Sequence, residues 1–293
     1  ESTEVRFKID EKGEPVGTFL KISKEAHQLI EEFMLLANKQ VATKMGKPSK
    51  SKLISPFIYR IHDDPSEEKV NDLNIYLESM GYKMVREKNK PISYSLNAIM
   101  KQAKEKKELH LISPMVIRSM SKAVYSSENI GHYGLAFQYY THFTSPIRRY
   151  ADLLVHRALL NNLEKQQKHL KIAPKLEASC NHLSKMEKQA TEAERASIKY
   201  MQVKYLSKKI GEKFNGIISG ITDWGIDVEL DENKCEGLVS ISSMKDDQYF
   251  YDKELQMMVG YHSQKTYKLG QEIEVLVKKT DLYKRQIDFK LLN

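Results

Sequence analysis

His142-Phe143-Thr144-Ser145-Pro146-Ile147-Arg148-Arg149-Tyr150-Ala151-Asp152-Leu153-Leu154-Val155-His156-Arg157 is the stretch on which the reading of this chain turns. It gathers two adjacent guanidinium groups, two hydroxyls and two imidazoles around the start of an expected helix running from Pro146 to about Leu163. With Thr144 or Ser145 as N-cap and Pro146 in the first helical position, free backbone N–H groups and the positive dipole end lie beside Arg148 and Arg149. That arrangement predicts an anion site. The competing reading is an amphipathic helix whose Ile147, Leu153, Leu154 and Leu160 fill a core while the arginines face water. Arg149 can also pair with Asp152 at i+3.

Outward from this run, hydrophobic periodicity divides the chain. Val5 to Asp10 and Thr18 to Ile22 alternate like the two strands of a hairpin. From Lys24 to about Met45, Ile30, Phe33, Met34, Ala37 and Val41 recur at helical spacing behind Ser23 as cap. Gly46 to Lys52 is a basic loop, followed by a short strand around Pro56 to Ile61. Helical spacing continues over Ser66 to Gly81, Ser95 to Glu108 and Ser113 to Tyr125. Glu164 to Lys175 is a loop, and a long helix is expected from about Leu176 to Lys209, with Leu183, Met186, Ala190, Ala193, Ser197, Tyr200 and Met201 on one side.

After Gly211 the texture changes to five short alternating strands separated by Gly, Asp and Asn turns, the pattern of a small β-barrel. The expected fold class is α+β, a helix-rich mixed α/β region over 1–207 followed by a small β-barrel over 208–293.

Composition narrows the class. The 293 residues are 41% hydrophobic, enough for a substantial core, and 47 basic against 39 acidic residues give a net charge of +8. A pI of about 9.1 suits a polyanionic partner. Cys180 and Cys235 stand in unrelated contexts with no second ligand at metal spacing, which reads as two free thiols in a reducing, cytoplasmic compartment. No stretch approaches the ~18 apolar residues of a membrane span, and Glu1 to Val5 has neither an initiator Met nor a signal-peptide pattern, so an internal segment is expected. Gly-rich nucleotide loops, CxxC pairs and HExxH motifs do not occur in the sequence.

Tyr140 to Tyr150, with Asp152 and His156-Arg157, resembles the signature of the RNase II/RNase R (RNB-domain) family of hydrolytic exoribonucleases. The resemblance extends to Gly131-His132-Tyr133-Gly134-Leu135-Ala136, Leu29 to Asn38, Tyr59-Arg60-Ile61-His62, Arg118-Ser119-Met120 and Glu187 to Arg195, and within the family it is nearer the RNase R branch. Asp223-Trp224-Gly225, Gly237-Leu238-Val239 and Tyr267-Lys268-Leu269-Gly270 resemble an S1-type OB domain. What the resemblance implies is processive 3′→5′ hydrolysis of RNA to nucleoside monophosphates, with Mg²⁺ or Mn²⁺ held by clustered aspartates. No Asp-x-Asp-Asp segment occurs here; Asp63-Asp64 and Asp246-Asp247 fit neither its spacing nor its place. The chain is thus expected to be a monomeric segment that binds single-stranded RNA or RNA 3′ ends, not membranes, and is inactive by itself. The alternative is a non-catalytic RNA-binding adaptor on a nuclease-derived scaffold.

By the same resemblance, Arg148 matches the arginine contacting the reactive phosphate, where a planar fork serves better than a point charge, and Glu194 matches a glutamate lining the active-site cleft. Glu31 or Glu32, with Glu32 favoured, falls near the terminal nucleotide. Tyr59, Arg60, His142, Ser145 and Arg149 are candidate RNA contacts, whereas His156 reads as a packed or capping residue. In the barrel, Phe214, Trp224 and Tyr267, or His262 in its place, are the stacking candidates.

Overall fold

The computed structural model describes residues 3–22, 24–47, 56–85, 92–106, 108–164, 173–253 and 255–292. Helices dominate the first two thirds. Strands β1 (Thr3–Ile9) and β2 (Pro15–Ile22) lead into helix α1 (Glu25–Gly46), strand β3 (Tyr59–Ile61), helices α2 (Glu67–Ser79), α3 (Ile92–Glu105) and α4 (Leu109–Ser119), strand β4 (Val124–Ser126), and helices α5 (Tyr150–Leu163) and α6 (Ala173–Leu206). Strands follow: β5 (Lys213–Thr222), β6 (Gly225–Leu230), β7 (Glu236–Ser240), β8 (Tyr249–Asp252), β9 (Met257–Gly260), β10 (Thr266–Lys268), β11 (Glu272–Asp281) and β12 (Gln286–Leu291). The chain divides into two compact units, one of Glu1–Ile22, Val70–Arg118 and Ala193–Asn293, the other of Ser23–Lys69 and Ser119–Glu192.

In the first unit, period-two burial along β5 and β6 turns Phe214, Ile218, Ile226, Val228 and Leu230 inward. Each strand therefore has one apolar face, and five of them close into a barrel of order β11-β12-β7-β6-β5, with β5 pairing β11 to complete the ring. All pairings are antiparallel except β12 with β7, the strand order and directions of an OB-fold. Gly225, at φ +149°, sits where any Cβ would fall on the Val239 carbonyl oxygen, so only glycine permits the close approach of β6 to β7. Val203 and Leu206 of α6 plug into the same core.

In the second unit, the short β3 and β4 pair antiparallel, with Arg60 opposite Tyr125. Their buried side chains pack with Ala42 and Met45 of α1, Ala151 and Val155 of α5, and Leu176 and Cys180 of α6.

Several expectations are corrected. The helix expected over Ser113 to Tyr125 ends at Ser119, and Val124–Ser126 is strand β4, recruited by pairing with β3. On α1 the buried residues are Asn38, Ala42 and Met45, while Ile30, Phe33 and Met34 of the expected core face are exposed. On α6, Met186 and Tyr200 are exposed, and burial falls at Leu176, Cys180, Val203 and Leu206 near the two ends. The strand pattern does not anticipate the sheet β10-β9-β8, inserted between β7 and β11. Ser23 and most of the basic loop after Gly46 lie outside the described residues.

Candidate functional site

The central helix begins at Tyr150, not at Pro146, with Arg149 as N-cap at φ −122° and ψ 113°. Pro146 instead occupies the second position of a turn closed by the Ser145 carbonyl, which accepts from the amides of Arg148 (3.3 Å) and Arg149 (3.0 Å). Proline is well suited there, since its fixed φ matches that position of a turn. Nor does a hydroxyl cap the helix: the Ser145 amide donates to Asp152 Oδ2 at 2.7 Å, and Arg149 Nη2 meets the same oxygen at 3.0 Å. The carboxylate of Asp152 is fully buried.

Three guanidinium groups bear on His142. Arg60 Nη1 pairs with Glu187 Oε2 at 2.6 Å, and its Cζ lies 4.7 Å from the centre of the Tyr125 ring. Arg149 is committed to Asp152. Arg148 is exposed, and its side chain makes no hydrogen bond or ion pair among the described residues. Burial, then the charges of Arg149 and Arg60, His132 and the charge of Arg148, hold the His142 imidazole down at about 3. His132 is held at about 4, chiefly by burial and then by His62 and Arg60. Tyr125 Oη lies 2.8 Å from His142 Nδ1, and burial, with Glu187 adding to it, pushes that phenol up to about 12. The centre is thus made of neutral rings between cations, a setting that favours an incoming anion.

The remaining candidates separate. Tyr59 is buried edge-to-face against Phe57, with its hydroxyl close to Gly46, so its ring is not free to stack on a base. His156 stacks on Phe143 at 4.0 Å and bonds its carbonyl oxygen, a packing role. Glu31 and Glu32 lie on the exposed part of α1, and among the described residues neither is bonded to the arginine cluster; Glu194 is exposed on α6. Glu187 stands in a helix stretch rich in both signs of charge, and no sequence signal ties it to Arg60, 127 positions away.

In the barrel, Phe214 at 7% and Tyr267 at 2% exposure belong to the hydrophobic core, which corrects their assignment as stacking platforms. Alternation on β5 and β10 points both rings inward. Trp224, 78% exposed at the β5–β6 turn, has the opposite disposition. Sequence reasoning missed Tyr283, which is 96% exposed in the β11–β12 turn, beside Lys284 and Arg285. An aromatic between Asp281 and two basic residues in a hairpin turn was the available signal. These two turns are the connections that flank the ligand face of OB-folds.

The resemblance also implies a divalent cation. Among the described residues no three His, Cys, Asp or Glu side chains group to hold one, and the cluster's carboxylates, Asp152 and Glu187, are already paired with arginines. The residues present do not fit such an ion.

Comparison with known proteins assigns each part. The RNB domain model matches residues 1–165 and the S1 RNA binding domain model residues 207–291. Ribonuclease R of Aquifex aeolicus is 38% identical over 288 residues, covering 97% of this chain and 40% of that protein. The apo form of Mycoplasma genitalium RNase R aligns with a TM-score of 0.88 at 28% identity, over 100% of this chain and 46% of its own. The same protein in complex with ribose methylated single-stranded RNA gives 0.87, at the same identity and coverage. The chain spans about 40% of the length of this curated relative.

Proposed function

Because this chain belongs to the RNB domain family, we propose that it works in a 3′→5′ hydrolytic exoribonuclease of the RNase R type, degrading RNA to nucleoside 5′-monophosphates. The observation that carries the reading is the unequal commitment of three arginines. Arg60 and Arg149 are neutralised by carboxylates, whereas Arg148 extends from its turn with an unused fork. A free planar guanidinium suits two oxygens of one phosphate. In this proposal Arg148 holds the scissile phosphate, and Arg60, Arg149 and neutral His142 set the field around it. Ser145 shapes the turn, and Glu194 and Glu32 border the terminal nucleotide. The carboxylates that bind Mg²⁺ or Mn²⁺ in such enzymes belong to sequence outside these 293 residues.

The barrel contributes binding of the single strand. Trp224 and Tyr283 offer faces on which bases stack without regard to sequence, and Lys284 and Arg285 neutralise phosphates. The test is Arg148→Ala in a hydrolytically active protein carrying these residues. Turnover should fall by ~10²–10³, the usual cost of losing one preorganised donor, while RNA affinity falls far less. Turnover within twofold of the parent, with affinity collapsed, would reduce Arg148 to a tether.

A further inference from the structure

We infer that Asp152 is the positioning residue for Arg148, acting through the Ser145–Arg149 turn; the inference rests on Arg148 being a phosphate-holding group. Arg148 has no side-chain partner among the described residues, and the neighbouring Ile147 is fully exposed, so neither anchors the turn. What fixes it is the Ser145 peptide, tied on both sides. Its carbonyl takes the Arg148 and Arg149 amides, and its amide is held by Asp152 Oδ2. Asp152 is itself set in the fold by Ala151 and Val155, which are buried in the core shared with α1 and α6. A continuous line of contacts therefore runs from that core through one carboxylate to the backbone that presents Arg148.

The pairing of Asp152 with Arg149 supports this division of work. A carboxylate optimised for a guanidinium meets it at two points. Here only Oδ2 and Nη2 meet, at 3.0 Å, while Asp152 Oδ1 and Arg149 Nε are buried without a partner among the described residues. The shorter bond, 2.7 Å, goes to the Ser145 amide. The carboxylate is oriented for the turn, and Arg149 serves as its counter-ion.

A simple helix-start cap would affect stability and leave the use of Arg148 untouched, which gives the test. The affinity of the full 293-residue chain for a 5′-fluorescein-labelled single-stranded RNA is measured for the wild type, Arg148→Ala, Asp152→Asn and the double variant. Arg148→Ala should weaken binding about tenfold and reduce the salt slope by about one. Asp152→Asn should weaken it comparably, and on that background Arg148→Ala should add less than twofold, the non-additivity of residues acting as one unit. Val155→Ala, a core truncation on the same helix, should lower the melting temperature and leave affinity within twofold. If Arg148→Ala keeps its full effect in Asp152→Asn, the positioning role is refuted. If Arg148→Ala changes nothing in the wild type, the phosphate reading of Arg148 fails instead. Should Asp152→Asn not fold, the same cycle is read on Asp152→Glu, which keeps the charge and lengthens the arm by one methylene.

Discussion

Tyr125 Oη and His142 Nδ1 lie 2.8 Å apart between strand β4 and the segment leading into α5, and this contact ties a buried phenol to a largely enclosed imidazole. Together with His132, edge-on to Tyr140 and His62, it makes the cluster depend on neutral rings.

That dependence has a pH signature. The folded-state values of His132 and His142, about 4 and about 3, lie below the unfolded value near 6.5. The unfolded chain therefore binds more protons between these limits, and the stability contributed by the two rings, fully present above about pH 6.5, is lost as pH falls through 4 and then 3. Denaturant midpoints should decline from pH 7 to pH 5, with an uptake of about two protons on unfolding near pH 5. His142→Phe should remove about half of that dependence. A flat profile would show that the rings are charged in the folded protein.

Incubated with 5′-labelled single-stranded RNA and Mg²⁺ or Mn²⁺, the 293-residue chain is expected to bind without releasing mononucleotides. The reason is that no three His, Cys, Asp or Glu side chains gather among the described residues, and Asp152 and Glu187 are already engaged by arginines. A ladder of stepwise products from pure chain would overturn the proposal that the cation ligands lie elsewhere.

In the barrel, adding a single-stranded oligonucleotide should quench Trp fluorescence, since Trp224 is the only Trp in the sequence and its ring is exposed. Trp224→Ala and Tyr283→Ala should each weaken binding by ~1–3 kcal/mol with the fold retained. Phe214→Ala should behave differently, destabilising the barrel by ~3–5 kcal/mol as a core truncation does. Equal loss of binding from all three variants with unchanged melting temperatures would place Phe214 on the ligand face after all.

Gly225→Ala should unfold or strongly destabilise the barrel, because the new methyl meets the Val239 carbonyl and the backbone sits at positive φ. Thermal melts of the variant check this. A melting temperature within two degrees of wild type would mean that β6 and β7 can separate at no cost.

The sequence is legible where patterns are local. The alternation of β5, β6, β7, β11 and β12 and the expected long helix correspond to elements of the structure. It is less legible where partners are distant. The cap of the turn at Ser145 is a carboxylate seven positions on, and the partner of Arg60 stands on another helix, so side-chain preferences at the helix start misplace its first residue. Inward and outward rings are alike in being aromatic. Phe214 and Trp224 differ in the phase of the strand and the position of the turn, which an inventory of aromatics does not weigh.

The ring closes through β5 and β11, whose paired residues run from Glu272 with Ile217 to Leu276 with Lys213, with β6 to β10 lying between them in the chain. Such closure is a non-local event, and the entropy of gathering the intervening loop is lost before the pairing returns any free energy. The hairpin of β5 and β6 can form early, but until β11 arrives both ends of the sheet stay open to strands of other molecules. Refolding of this part should therefore be slow relative to that of the helices, and its yield should fall as protein concentration rises.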